Sequence, residues 1–267
     1  MGTAFADITW GGRPIRIEYE RIDGASPDAA LIVFLHEGLG SVAMWKDFPQ
    51  RVCAATGCNG LVYSRPGYGQ STPRPAHEHW DTDFMHQQAH EVLPALLQAL
   101  RIDPLVRPLI LLGHSDGGSI ALLYAARFPG HVQACIVMAP HTFVEPMCVA
   151  AIEEARQAYL STPLPQRLGR YHADADSAFW GWNTIWLKPE FLQWNIDAEV
   201  AHINKPILAI QGVDDEYGTL EQVERLARNT PHTQVLALPQ CGHSPHRDQE
   251  DAVVKAVAGF FLEILSA

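Results

Sequence analysis

The sequence predicts an α/β fold: a mostly parallel sheet flanked by helices, with an inserted helical cap. Three features predict it. Short apolar runs alternate with stretches of helical period along most of the chain. Central runs such as AALIVFL at 29–35 are apolar throughout, as in strands covered on both faces. Between 141 and 203 the alternation stops, giving a helical pattern interrupted by Pro163, Pro165 and Pro189, with Trp180, Trp182, Trp186 and Trp194 close together. Residues 1–140 and 204–267 are therefore expected to form one core domain, with 141–203 as a cap inserted between two of its strands.

Residues 3–10 and 13–22 (RPIRIEYERI) read as strands on either side of the Gly11-Gly12 turn. The run at 29–35 is the third strand. A helix at 43–55 ends at Gly57, and 60–64 (GLVYS) is a short strand entering the loop RPGYGQSTPRP. Residues 83–102 read as a helix kinked at Pro94, which lacks an N–H and crowds the preceding turn. Strands at 108–113 and 132–139 (VQACIVMA) bracket a helix that begins near Asp116. Strands at 206–211 (PILAIQ) and 233–238 (TQVLAL) follow the insert, with a helix at 219–229 between them and a last helix at 247–265.

A chain of 267 residues with 47% hydrophobic content can bury one large core without metals or disulfides. Its net charge of −11 leaves no basic stripe to neutralise phosphates, which argues against nucleic acid or an anionic membrane as partner. Cys53, Cys58, Cys135, Cys148 and Cys241 are an odd set without C-x-x-C spacing, so neither a disulfide framework nor a zinc site is expected. The start MGTAFADITWGGRPI has neither a basic region nor an apolar one, and no apolar stretch reaches 18 residues. A cytoplasmic protein is expected, a monomer or small homo-oligomer. His86 and His90 share a helix face, but no third ligand stands at metal-site spacing and no metal is expected.

The chemistry centres on Gly113-His114-Ser115-Asp116-Gly117, a G-x-S-x-G pattern between a predicted strand and a predicted helix. A turn that sharp holds its serine in a crowded backbone conformation, and glycines two residues before and after relieve the crowding. The helix N-terminus behind Ser115 offers N–H groups to a developing oxyanion. A serine there needs a base and an acid to activate it. Acid candidates Asp214 and Asp215 follow the strand PILAIQ, and His243 follows the next strand. Loops at the C-terminal ends of strands are where such sheets hold their sites.

With these stretches together, the sequence resembles the α/β-hydrolase superfamily over nearly its whole length. LHEGLGS resembles the family's oxyanion loop and SRPGYGQS its D-x-R-G-x-G-x-S loop, alongside GHSDG, GVDD and CGHSP. The resemblance implies a catalytic triad of Ser115, Asp215 and His243, with Asp214 the less favoured acid. It also implies oxyanion donors at the backbone N–H groups of Gly38 and Asp116. Two residues depart from the pattern. Glu37 stands where the family has glycine, and is expected to be turned away or hydrogen-bonded; Ser64 stands where many members have Asp.

The function implied is hydrolysis of a carboxylic ester or thioester of a small molecule through an acyl-enzyme on Ser115, with no cofactor. The alternatives are a C–C bond or lactone hydrolase with the same triad, or a small-molecule receptor on the scaffold. The Ser-Asp-Gly-Gly run resembles that of valacyclovir-hydrolase-type amino-acid ester hydrolases, which implies that Asp116 meets a substrate ammonium; an acidic residue in a first helical turn also suits the helix dipole. Phe143, Trp180, Trp182 and Trp186 are candidates to line the substrate pocket. The spacing of Phe179, Trp182 and Trp186 equally describes one helix face packed on the core.

Overall fold

The computed structural model describes residues 3–266. Met1, Gly2 and Ala267, at the ends of the expected core ranges, lie outside the described residues. The strands among the described residues are β1 (Ala4–Trp10), β2 (Arg13–Ile22), β3 (Leu31–Leu35), β4 (Asn59–Tyr63), β5 (Leu109–His114), β6 (Val132–Met138), β7 (Ile207–Gly212) and β8 (Thr233–Leu238). They form one sheet in the order β1-β2-β4-β3-β5-β6-β7-β8. The pairs β1/β2 and β2/β4 are antiparallel and every later pair is parallel.

The parallel strands are apolar because both faces are covered, and alternate side chains feed two separate cores. In β3, Leu31, Val33 and Leu35 join one cluster while Ile32 and Phe34 join the other. Helices α1 (Phe48–Thr56), α2 (Phe84–Gln87), α3 (Leu93–Ala99) and α4 (Asp116–Arg127) come before β6. Between β6 and β7 the chain forms α5 (Pro146–Ser161), α6 (Leu164–Leu168), α7 (Ala175–Trp186) and α8 (Asp197–Val200). Then come α9 (Glu221–Asn229), α10 (Pro245–Asp248) and α11 (Glu250–Ser266). Residues of α2–α4 and of the segment between β6 and β7 pack into the first cluster; those of α1 and α11 pack into the second.

Three helices differ from the sequence expectation, each for a local reason. The expected helix at 43–55 is a 3-10 turn, Val42–Trp45, followed by α1, with Lys46 at φ 56° between them. Pro49 lies in the first turn of α1, where its missing N–H costs no helical bond. The expected helix at 83–102 is α2 and α3 joined by a π turn, Gln88–Val92, just before Pro94; the wider turn absorbs the bond that Pro94 cannot make. The last helix is divided at Gln249 into α10 and α11. The five cysteines are buried free thiols, and no helix among the described residues is long and apolar enough to cross a membrane.

Candidate active site

Ser115 stands at the junction of β5 and α4 with φ 53° and ψ −122°, a left-handed conformation that an L residue rarely adopts. The flanking glycines are required by space. A Cβ on Gly113 would lie 2.2 Å from the Gly117 carbonyl oxygen, and one on Gly117 would lie 2.0 Å from that of Leu35. The Ser115 N–H donates to the Met138 carbonyl at 2.9 Å, tying the turn to the end of β6.

The loops after β7 and β8 bring their side chains to this turn. His243 Nε2 is 2.9 Å from Ser115 Oγ, and His243 Nδ1 is 2.9 Å from each carboxylate oxygen of Asp215. Asp215 also accepts from Gln211 Nε2 at 2.7 Å and from the backbone N–H groups of Tyr217 and Gly218 at 2.7 and 3.2 Å. Burial pushes the Asp215 carboxyl up, but the hydrogen bond and charge of His243 and the Tyr217 N–H outweigh it, so the group is held below its ordinary value. Asp214 is exposed and its N–H donates to the Cys241 carbonyl. Of the two acid candidates, only Asp215 touches the histidine.

Asp116 opens α4, so its N–H has no carbonyl within the helix to bond. Its carboxylate is fully buried, with Oδ2 3.6 Å from Arg65 Nη2. Burial raises the acid's pKa against the pull of that guanidinium. Neither carboxylate oxygen has a hydrogen-bond partner among the described residues, and Asp116 is not among the residues that line the cavity beside Ser115.

Gly38 borders the cavity, with the Trp182 indole resting on it: a Cβ there would lie 2.3 Å from Trp182 Nε1. Glu37 is hydrogen-bonded, as its departure from the family pattern requires. Arg247 Nη2 donates to its Oε1 at 3.0 Å, and His114 Nδ1 lies 3.6 Å from Oε2. Burial raises the Glu37 carboxyl, but His114 and Arg247 outweigh this and hold it well below its usual range. Ser64 donates to Glu18 Oε2 at 2.6 Å, so a buried carboxylate from β2 serves this loop.

A cavity of about 120 Å³ opens beside Ser115 and His243, walled by Leu39, Cys148, Ile152, Trp182 and Trp186, with His141 and Tyr217 as its other polar residues besides Glu37. Two aromatic candidates lie elsewhere. Phe143 pairs with Asn195 across the neck of the segment between β6 and β7, its ring 4.5 Å from the Arg225 guanidinium. Trp180 packs against Tyr159 and Phe179, because two residues along α7 from Trp182 is about 200° around the helix. His141, Tyr217, Leu39, Cys148 and Ile152 are wall residues that sequence reasoning did not single out. His141 carried a usable signal, since it follows the C-terminal end of β6. A larger depression of about 720 Å³, near Val132, Pro206 and Gln234, lies at the opposite end of the strands from this chemistry. His86 bonds Glu199 at 3.2 Å, and among the described residues no group of three or more His, Cys, Asp or Glu could hold a metal ion.

A family model for the Alpha/beta hydrolase family matches residues 32–256. The chain belongs to that family. It is 26% identical to the sn-1-specific diacylglycerol lipase of Mus musculus, over 93% of this chain and 86% of the lipase. It is 24% identical to 2-hydroxy-6-oxo-6-phenylhexa-2,4-dienoate hydrolase of Burkholderia cepacia, over 86% of each chain. Among solved structures, a thermophilic esterase from Thermogutta terrifontis superposes with a TM-score of 0.74 at 18% identity, covering 99% of both chains. These relatives support a hydrolase enzyme.

Proposed function

We propose that this enzyme is a serine hydrolase that cleaves a carboxylic ester or thioester of a small, uncharged molecule through an acyl-enzyme on Ser115. The observation that carries the proposal is the unbroken chain of 2.9 Å contacts from Ser115 through His243 to Asp215, opening on an apolar cavity. His243 Nε2 takes the Ser115 proton as Oγ attacks the carbonyl carbon, and the carbonyl π pair moves onto oxygen. The N–H groups of Asp116 and Gly38 stabilise that oxyanion. Collapse of the intermediate expels the alcohol or thiol, which takes the proton from His243. Water, deprotonated by His243, then attacks the acyl-enzyme; as the acyl C–Oγ bond breaks, His243 returns that proton to Ser115 Oγ and the acid is freed. Asp215 holds the imidazole in the required tautomer and stabilises its cation.

Size and charge narrow the substrate. About 120 Å³ is well under the ~300 Å³ or more of sites for drug-sized ligands, which favours a short acyl chain over a long lipid tail. Among the described residues lining the cavity there is no Arg or Lys, so an ionised acid has no cationic partner. That disfavours a dienoate, the substrate named for one of the relatives, and with it the C–C bond reading. In this proposal residues 141–203 are the cap, contributing Trp182 and Trp186 to the cavity wall.

A steady-state screen with p-nitrophenyl acetate, butyrate, benzoate and octanoate tests the reading. Turnover is expected with the short acyl groups, falling at octanoate, and lost in Ser115→Ala. A fluorophosphonate is expected to label the wild type and not that variant. Esterase activity unchanged in Ser115→Ala would overturn the mechanism.

A further inference from the structure

The proposed mechanism gives no task to a second histidine of the cavity. His141 is only 2% exposed and lines the same cavity as Ser115. Its backbone is fixed, because its N–H donates to Ser119 Oγ at 3.1 Å and its carbonyl accepts from that hydroxyl at 2.7 Å. Its ring stands edge-on to Trp186, with centroids 4.8 Å apart, and 5.8 Å from the His243 ring. Packing thus sets the ring's position, yet buried Nδ1 has no hydrogen-bond partner among the described residues.

Leaving a buried polar atom unpaired is unfavourable, and a phenyl ring would fill the same space without that cost. An imidazole kept in such a place implies a partner that arrives with the ligand. Burial, reinforced by the nearby His243, drives His141 down to about 3, so the ring is neutral, with one N–H donor and one bare nitrogen. Tyr217, whose ring centroid is 4.7 Å from that of His243, is likewise neutral, burial having pushed its hydroxyl up to about 12. A wall of this kind suits hydroxyl, ether or keto oxygens, and the Glu37 carboxylate that also lines the cavity is already paired with Arg247.

We propose that His141 determines specificity by hydrogen-bonding an uncharged oxygen function of the substrate, a few bonds from the scissile carbonyl. The inference rests on the hydrolase reading for what counts as substrate, so its test reads binding and not turnover.

Ser115→Ala holds esters without cleaving them, and Trp182 and Trp186 in the cavity wall report occupancy by fluorescence. Ethyl methoxyacetate against ethyl butyrate exchanges one CH₂ for an ether oxygen on the acyl side. 2-Methoxyethyl butyrate against n-butyl butyrate does so on the alcohol side. An ether oxygen only accepts, so each pair reads the His141 N–H. In at least one pair, preference for the ether is expected to fall about tenfold from Ser115→Ala to Ser115→Ala/His141→Phe, and to return with His141→Gln. The responding pair identifies the side. The His141→Phe protein is expected to melt no lower than its parent, because an unpaired nitrogen is removed, whereas a purely structural histidine would lower it. Unchanged preferences in both pairs, no measurable binding of either ether, or a melting loss that accounts for the effect would overturn the proposal. Failure of the wild type to cleave any ester would count against the hydrolase reading separately.

Discussion

Arg65 Nη2 donates to the carbonyl oxygen of Glu37 at 2.8 Å, and that bond joins the loop after β4 to the loop after β3 just where Gly38 begins. His36 Nδ1 donates to the same oxygen at 2.7 Å, while His36 Nε2 accepts from the Arg65 backbone N–H at 3.0 Å. Burial, then the charge of Arg65, pushes His36 well below its ordinary value, consistent with the neutral tautomer those two bonds require. A trans peptide is planar, with its C=O and N–H pointing in opposite directions. Pinning the Glu37 oxygen from two sides therefore aims the Gly38 N–H. Arg65 is fully buried, over the Tyr68 ring, and touches both Asp116, one proposed oxyanion donor, and the Glu37 carbonyl, whose peptide carries the N–H of the other.

Arg65→Lys tests this coupling. Both contacts come from Nη2, and lysine keeps the positive charge but ends one atom shorter, so its ammonium falls short of the position from which Nη2 meets the Glu37 carbonyl and Asp116. The expected result is a kcat about ten- to a hundredfold lower with KM changed less than about threefold, as for an interaction made in the transition state. A rise in KM with kcat unchanged would mean that Arg65 serves substrate binding instead.

The two adjacent aspartates separate the acid from its neighbour. Asp215→Asn keeps the shape but presents an amide to His243 Nδ1, which favours the wrong tautomer, and kcat is expected to fall by about 10³–10⁴. Exposed Asp214→Asn is expected to stay within about twofold on the same ester. The reverse order would reassign the acid.

What the sequence reveals here follows the range of the interactions involved. The turn at Ser115 is legible because close backbone approach makes both Gly113 and Gly117 obligatory, a local constraint that leaves a local pattern. The meeting of Ser115, Asp215 and His243 is legible because parallel strands deliver their following loops to one edge of the sheet. The carboxylate that bonds Ser64 is not, since Glu18 lies in another strand and no local pattern pairs the two. Trp180 and Trp182 look alike in composition and differ only in helix phase, which fixes a face once the neighbours of α7 are known. Phe143 looks like a pocket residue until the pairing with Asn195 closes the neck of the insert.

Gly38 gives a prediction of a different kind. A Cβ there meets Trp182 Nε1 at 2.3 Å and Cδ1 at 2.4 Å, so Gly38→Ala must displace the indole or the loop. Esterase activity is expected to drop at least tenfold and the melting temperature to fall by a few degrees. Removing the obstacle should restore part of both losses, so Gly38→Ala/Trp182→Leu is expected to melt higher than the sum of the single changes implies. Strict additivity would locate the damage in the loop backbone and not in the indole.

Acid stability reports on His141 a second time. The folded protein keeps this ring neutral down to about pH 3, whereas in the unfolded chain it takes up a proton near 6.5. Between those values protons bind the unfolded state more, so stability falls as pH falls, by about 1.4 kcal/mol per pH unit for this one group. His172 and His246, both lowered chiefly by burial, act in the same direction. So do Asp215 and Glu37, whose depressed values contribute stability at neutral pH that is lost as acid protonates them. Urea unfolding at pH 7.5 and pH 5 is therefore expected to show a smaller acid loss in His141→Phe than in the wild type, the difference reaching about 2 kcal/mol. Parallel losses would mean that the folded protein protonates His141 as readily as the unfolded chain does, and that the ring is not held neutral beside Ser115.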